Sequence, residues 1–130
     1  MCTHGRTTPF VARDWREIEQ FLDESVGSTP GFGHLTDIVR SVIASGRSEA
    51  LAGCTSMHDI LVVPRPVPEP PYGVVVVRAP SSLRRAPRAG NVVIEEQSVT
   101  GHDDIVERPA AEAVPLFWRF MIEKFGIAPA

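Results

Sequence analysis

The four consecutive valines at 74–77 restrict this chain more than any other feature. Successive side chains of a strand point to opposite faces, so a sheet with one face in water alternates apolar and polar residues. This run does not alternate. It predicts a central strand covered on both faces. A chain of 130 residues can bury roughly two thirds of its unfolded surface in one core, enough for one domain and no more. The expected organisation is a flexible stretch at 1–8, which has no apolar period, and a single domain over 9–130. Twelve prolines and ten glycines stay below the roughly 25–30% at which disorder becomes the better reading.

Two helices should precede the sheet. Asp14 and Glu17 have capping-box spacing, in which the first carboxylate accepts from exposed backbone N–H groups and the second reaches back. Trp15, Ile18, Leu22 and Val26 then recur at helical spacing, widened by Phe21, and Gly27 predicts a left-handed stop. Leu35, Ile38, Val39, Val42 and Ile43 mark a second helix ending near Ser45 and Gly46. Residues 47–52 read as one more helical turn, capped by Ser48 and stopped by Gly53.

The period then becomes strand-like. The β-branched run 54–63 reads as one strand, ended by Pro64, which cannot donate to a ladder. Five of the twelve prolines lie in 64–71 and predict an extended polyproline connector that a partner could read. Strands follow at 73–79 and 91–99, with a short fourth at 105–107 after the turn 100–104. Connections this short exclude crossover helices, so the pairing should be antiparallel. Leu116, Phe117, Trp118, Phe120, Met121, Ile122 and Phe125 form a closing helix, and Pro115 either kinks it or begins it. The expected class is α+β: two N-terminal helices, an antiparallel meander of three to four strands, and a C-terminal helix packed on the sheet. Covering both faces of the central strand needs either the last helix opposite the first two, or a second copy in a homodimer.

The first thirty positions hold Asp14, Arg16, Glu17 and Glu19, which break any secretory apolar core, and the longest apolar runs are only four residues, 60–63 and 74–77. These features predict a cytoplasmic protein with no membrane contact. Lys124 is the only lysine beside twelve arginines, a bias that points to a GC-rich bacterial genome. Two cysteines are too few for a secreted disulfide framework, so Cys2 and Cys54 are expected as reduced thiols. A net charge of -3 argues against nucleic acid, which requires a concentrated basic face.

Ser56, His58 and Asp59 on the first predicted strand, with His102, Asp103 and Asp104 at the later turn, are the residue types of acid–base or nucleophilic chemistry. The spacing is poor. On one strand Asp59 would point away from Ser56 and His58, leaving Asp103 or Asp104 to orient a histidine. No Gly-x-Ser-x-Gly elbow supports a nucleophile. Cys54 and His58 would stand about 13 Å apart on a strand, too far for one ion; Cys2 and His4 are close enough but sit on the loose end. No metal or cofactor is expected. Either Glu95 or Glu96 must face the core, and Arg78 on the neighbouring strand is its natural partner.

These features lean away from an enzyme and toward a small accessory, regulatory or immunity-type module that docks on another protein. Arg78, Arg84, Arg85 and Arg88 would contact an acidic ligand or partner, and Glu17 and Glu24 on the first helix could steer a basic one. The alternative is a small enzyme or small-molecule binder whose sheet–helix pocket uses His58 and His102 together.

Overall fold

The computed structural model describes residues 8–130. Its elements are α1 (Trp15–Val26), α2 (Gly33–Ala44), β1 (Leu51–Ser56), β2 (Asp59–Pro64), β3 (Val74–Arg78), β4 (Asn91–Gln97), β5 (Asp104–Pro109) and α3 (Ala113–Phe120). A 3₁₀ turn, Ala110–Glu112, precedes α3 and a π-helical turn, Met121–Phe125, follows it. The strands form one antiparallel sheet in the order β1-β2-β3-β4-β5. The class is α+β with two leading helices, a meander and a closing helix, as the sequence predicts. The strand count is five rather than three or four. No helix among the described residues is long and apolar enough to cross a membrane.

The extra strand comes from the run 54–63, which is two strands. Ser56 pairs with Asp59, so Met57 and His58 form a two-residue turn. Such turns need positive φ, normally supplied by Gly, Asn or Asp. Here Met57 adopts it, at 54°, and no turn signature is left in the sequence. The helical turn expected over 47–52 is also absent as drawn: β1 has begun by Leu51. Gly53 is a strand residue whose missing side chain admits the Trp15 ring; a Cβ there would lie 2.5 Å from a ring carbon. The same indole donates from Nε1 to the Leu51 carbonyl at 3.0 Å. One residue thus docks α1 onto the sheet edge.

Asp14 caps α1 by accepting from the Arg16 N–H at 2.8 Å. Gly27 is right-handed, with φ of -60°, so it does not supply the expected left-handed stop; Gly126, at 69°, does so after the closing helix. Pro115 sits in the first turn of α3, where its missing N–H has no intrahelical acceptor to lose. The helix therefore starts at Ala113 without a break at the proline.

Both faces of β3 are covered, but by neither predicted arrangement. Val75 and Val77 join Ile60, Val62 and Ile94 against residues of all three helices, among them Ile18, Leu35 and Phe117. On the second face Val74 and Val76 pack with Cys54, Leu61, Val63, Phe10 and Tyr72. Phe10 comes from the segment before α1. Tyr72 ends the proline-rich connector, which bends at 65–66 and 70–71 instead of running straight. Its hydroxyl donates to the Thr8 carbonyl at 2.9 Å, tying the two covering segments together. Residues 1–7 of the expected loose stretch lie outside the described residues. Cys54 is disulfide-bonded, which corrects its reading as a reduced thiol; Cys2 also lies outside the described residues.

The Trp15–Gly53 approach gives a direct test. Gly53→Ala forces the indole or the strand to shift, and overpacking of this kind costs about 1–3 kcal/mol. The urea midpoint should fall accordingly, with no change in slope.

Candidate functional site

In this meander the β1–β2 turn and the loop 79–90 share one end of the sheet, and the β4–β5 turn at 98–103 lies at the other. Side-chain alternation puts Asp59, Arg78 and Glu95 on the second face, on the neighbouring strands β2, β3 and β4. Arg78 Nη1 donates to Asp59 Oδ2 at 2.9 Å and Nη2 to Glu95 Oε1 at 2.6 Å. Arg78 and Glu95 are each 2% exposed and Asp59 6%. Arg78 is the partner the sequence indicates, and of the two glutamates it left open the buried one is Glu95. Glu96 faces the helix side, where it meets Lys124 at 3.7 Å.

Burying three charges costs several kcal/mol per ion before their attraction is counted, so such a network is weak evidence of stability. Its geometry shows a different use. Asp59 also accepts from the Ala79 N–H at 2.7 Å and the Ser82 hydroxyl at 3.0 Å. Glu95 Oε2 lies 2.8 Å from Arg85 Nε. On β5, Glu107 accepts from the Arg88 N–H and the Asn91 amide, both at 2.9 Å. These two bonds hold the Glu107 carboxyl below its usual range. Three carboxylates on the sheet therefore fasten the loop 79–90 along its length.

Between this loop and the β1–β2 turn lies a cavity of about 170 Å³. Asp59 and Arg78 line it together with Ser56, Met57, Ser82 and Leu83, and Arg84 stands at the same site. Arg78 Nε is buried there without a hydrogen-bond partner among the described residues. Leu83 is 86% exposed and Met57 53%.

The residues singled out for catalysis do not assemble. Ser56 and Asp59 face each other across the hairpin and line one cavity, whereas His58 sits in the turn and not beside Ser56 on a strand. Its ring stacks on Phe21 at 5.7 Å and 17°, meets Phe32 edge-on, and holds Nδ1 3.3 Å from the Ser81 hydroxyl. His102 is exposed in the β4–β5 turn. Its carbonyl accepts from the Ser98 hydroxyl, and Asp103 accepts from the Ser98 N–H. Asp104 pairs with Lys124 at 2.9 Å. The two histidines are separated by the length of a seven-residue strand, about 20 Å. Proton transfer within one pocket needs hydrogen-bond reach, so His58 and His102 cannot serve a common substrate.

Of the arginines, Arg84 is exposed, Arg85 is exposed but engaged with Glu95, and Arg78 is enclosed by the fold. Glu17 and Glu24 are exposed on α1, and Glu24 accepts from Gln20 at 2.7 Å. Sequence reading missed Asp59, Ser82 and Glu107 as loop anchors, and Met57 and Leu83 as exposed apolar tips. For Asp59 and Glu107 the signal was a carboxylate at a strand position, visible only once the hairpin sets the register, and Ser82 is the loop-side donor to Asp59.

Two outcomes follow from these buried groups. Arg78→Met leaves Asp59 and Glu95 without their cation and should destabilise by about 3–5 kcal/mol in urea unfolding at pH 7; a loss under 1 kcal/mol would mean that the network is not effectively desolvated. The second concerns His34, 7% exposed on α2. Burial lowers its pKa from 6.5, against the opposing Asp37 carboxylate. Below that value the unfolded chain takes up the proton first, so the His34 contribution is fully present above 6.5 and is lost as pH falls toward the folded pKa. The urea midpoint should therefore drop more between pH 7 and 5 in the parent chain than in His34→Phe, and equal slopes would acquit His34.

No family model, curated protein or solved structure matches the chain, and the ground for its function is the geometry of this end of the sheet.

Proposed function

We propose that the chain is a binding module that docks on an acidic, apolar-centred surface of another protein, using the β1–β2 turn and the loop 79–90. The observation that carries this reading is the pair of exposed apolar tips, Leu83 and Met57, lining one cavity beside Arg84. Interface cores are enriched in aromatic residues, methionine and arginine, and a few well-packed anchors carry most of the affinity inside a ring of contacts that exclude water. A fastened loop loses little conformational freedom on binding, and that preorganisation favours affinity. Arg84 supplies charge at the rim, where it would act on encounter rate and specificity more than on affinity. Arg85 and Arg88 carry further positive charge on the same loop, while Arg78 acts from beneath it. Glu17 and Glu24 lie on α1 and would serve only as steering charges.

An accessory, regulatory or immunity-type role in a bacterial cell fits this reading. The cytoplasmic setting expected from composition fits less well with a disulfide-bonded Cys54, because disulfides persist mainly in oxidising compartments. The wall of the cavity, and not a histidine pair, is the functional surface in this proposal.

Affinity capture from the native host, quantified against surface variants, tests it. A protein retained by the parent chain should be recovered at least about tenfold less with Leu83→Asp or Arg84→Glu, a change of roughly 1.4 kcal/mol. Glu17→Lys with Glu24→Lys should retain it. Undiminished recovery by both loop variants, with their circular dichroism unchanged, would overturn the reading.

A further inference from the structure

A second cavity, of about 420 Å³, lies at the N-terminal end of α2. Its wall is built from Pro30, Pro80 and Pro87 and from Gly31, Gly33 and Gly90, so it offers flat rings and bare backbone. The volume falls within the usual range of small-ligand sites, roughly 300–1,000 Å³. Three polar side chains also belong to the lining: His34, Arg88 and Asn91. The Asn91 amide is already engaged with Glu107. His34 is 7% exposed, and its Nε2 is buried with no partner among the described residues. An unmet buried polar group costs about 1–3 kcal/mol. A ligand oxygen would meet it. Arg88 is exposed, and its charge acts on the Glu107 carboxylate nearby.

The helix end adds an independent electrostatic preference. Phe32 occupies the N-cap of α2 with no side-chain cap bond, and the first turn has no acidic residue. The positive end of the helix and its first N–H groups are therefore left without a charged side-chain partner. Gly33, the first helical residue, leaves the approach open: a Cβ there would meet nothing within 4 Å. Its φ is not in the left-handed region, so the backbone does not require glycine. Glu107 accepts from the Arg88 N–H at 2.9 Å and places negative charge nearby, which penalises a dianion such as a phosphate more than a single charge.

We propose that this cavity binds a small monocarboxylate with a flat apolar body. The carboxylate lies at the α2 N-terminal N–H groups and Arg88, His34 donates to it from Nε2, and the body rests against the proline rings. This site shares the loop 79–90 with the docking edge, Arg88 included, but neither Leu83 nor Met57 lines it, and neither proposal needs the other.

Benzoate is the probe, titrated into the full chain and followed by two-dimensional amide NMR, with benzamide as its uncharged counterpart. Benzoate should saturate with a Kd at or below about 1 mM, with shifts centred on residues 30–34 and 87–91. Benzamide should bind at least about tenfold more weakly. Gly33→Leu, which fills the open space without a steric conflict at Cβ, and Arg88→Gln should each weaken benzoate at least about tenfold. If Gly33→Leu does not give a folded spectrum, Arg88→Gln and the benzamide comparison decide. The proposal is overturned if benzoate gives no saturable shift up to about 10 mM, if benzamide binds equally well, or if Arg88→Gln leaves benzoate affinity unchanged.

Discussion

The guanidinium of Arg78, held between Asp59 and Glu95 at 2% exposure, is the contact on which this end of the molecule depends. A valine at that position would continue the apolar run of β3 and give a simpler core. The arginine brings two carboxylates into a desolvated layer, and their remaining lone pairs then need donors. For Asp59 those donors come from the loop, the Ala79 N–H and the Ser82 hydroxyl; Glu95 Oε1 takes a bond from the Gln97 amide, while the Arg85 guanidinium meets Glu95 Oε2 as an ion pair without a hydrogen bond. The ionic cluster thus converts burial on the sheet into order in an otherwise irregular segment. A salt bridge that adds little net stability can still specify one conformation, and the placement of Leu83 is the visible result.

The sheet can accommodate this cluster because its second face is only partly an apolar core. Phe10 and Tyr72 cover β1 to β3 near the connector, and the ionic cluster occupies the opposite end of the same face. On the helix face α1, α2 and α3 share one continuous core with the sheet, and the charged group of Glu96, Asp104 and Lys124 stands only at its edge by the β4–β5 turn. The five-stranded sheet therefore has one face committed to packing and another divided between packing and a charged floor for a surface loop.

How much of this was legible in the sequence depended on whether a local rule acted alone. The periodicities of 15–26 and 35–43 marked α1 and α2 because amphipathic burial sets them directly. The valines at 74–77 correctly required two covered faces. They could not say by what, since Phe10 and Tyr72 reach them through tertiary packing with no periodic signal. The hairpin at Met57 was hidden because a non-glycine residue takes the positive φ, a choice that side-chain packing can enforce and propensity cannot reveal. That one missed turn misassigned His58 to a strand and separated Ser56 from Asp59, which share a cavity. That Arg78 pairs with either Glu95 or Glu96 was readable because burying a lone carboxylate is costly enough to demand a cation on the next strand; that it is Glu95 needed the strand register. The loop anchors depended on the corrected register and were not readable without it.

The loop 79–90 separates two cavities of different chemistry, with Ser82 and Leu83 on one and Pro80, Pro87 and Gly90 on the other. A loop of this length could be a mobile lid, but its attachments argue against that role. Ala79, Ser82, Arg85 and Arg88 are each tied to a carboxylate on the sheet, so no free stretch exceeds two residues before Arg88. Prolines at 80 and 87 restrict the backbone further. Opening such a segment would strand buried carboxylates, at about 1–3 kcal/mol or more for each unmet group. The segment is consequently a fixed wall, and both cavities are preformed in the unliganded chain. A partner or ligand at either proposed site would then meet a standing surface, with little ordering cost to subtract.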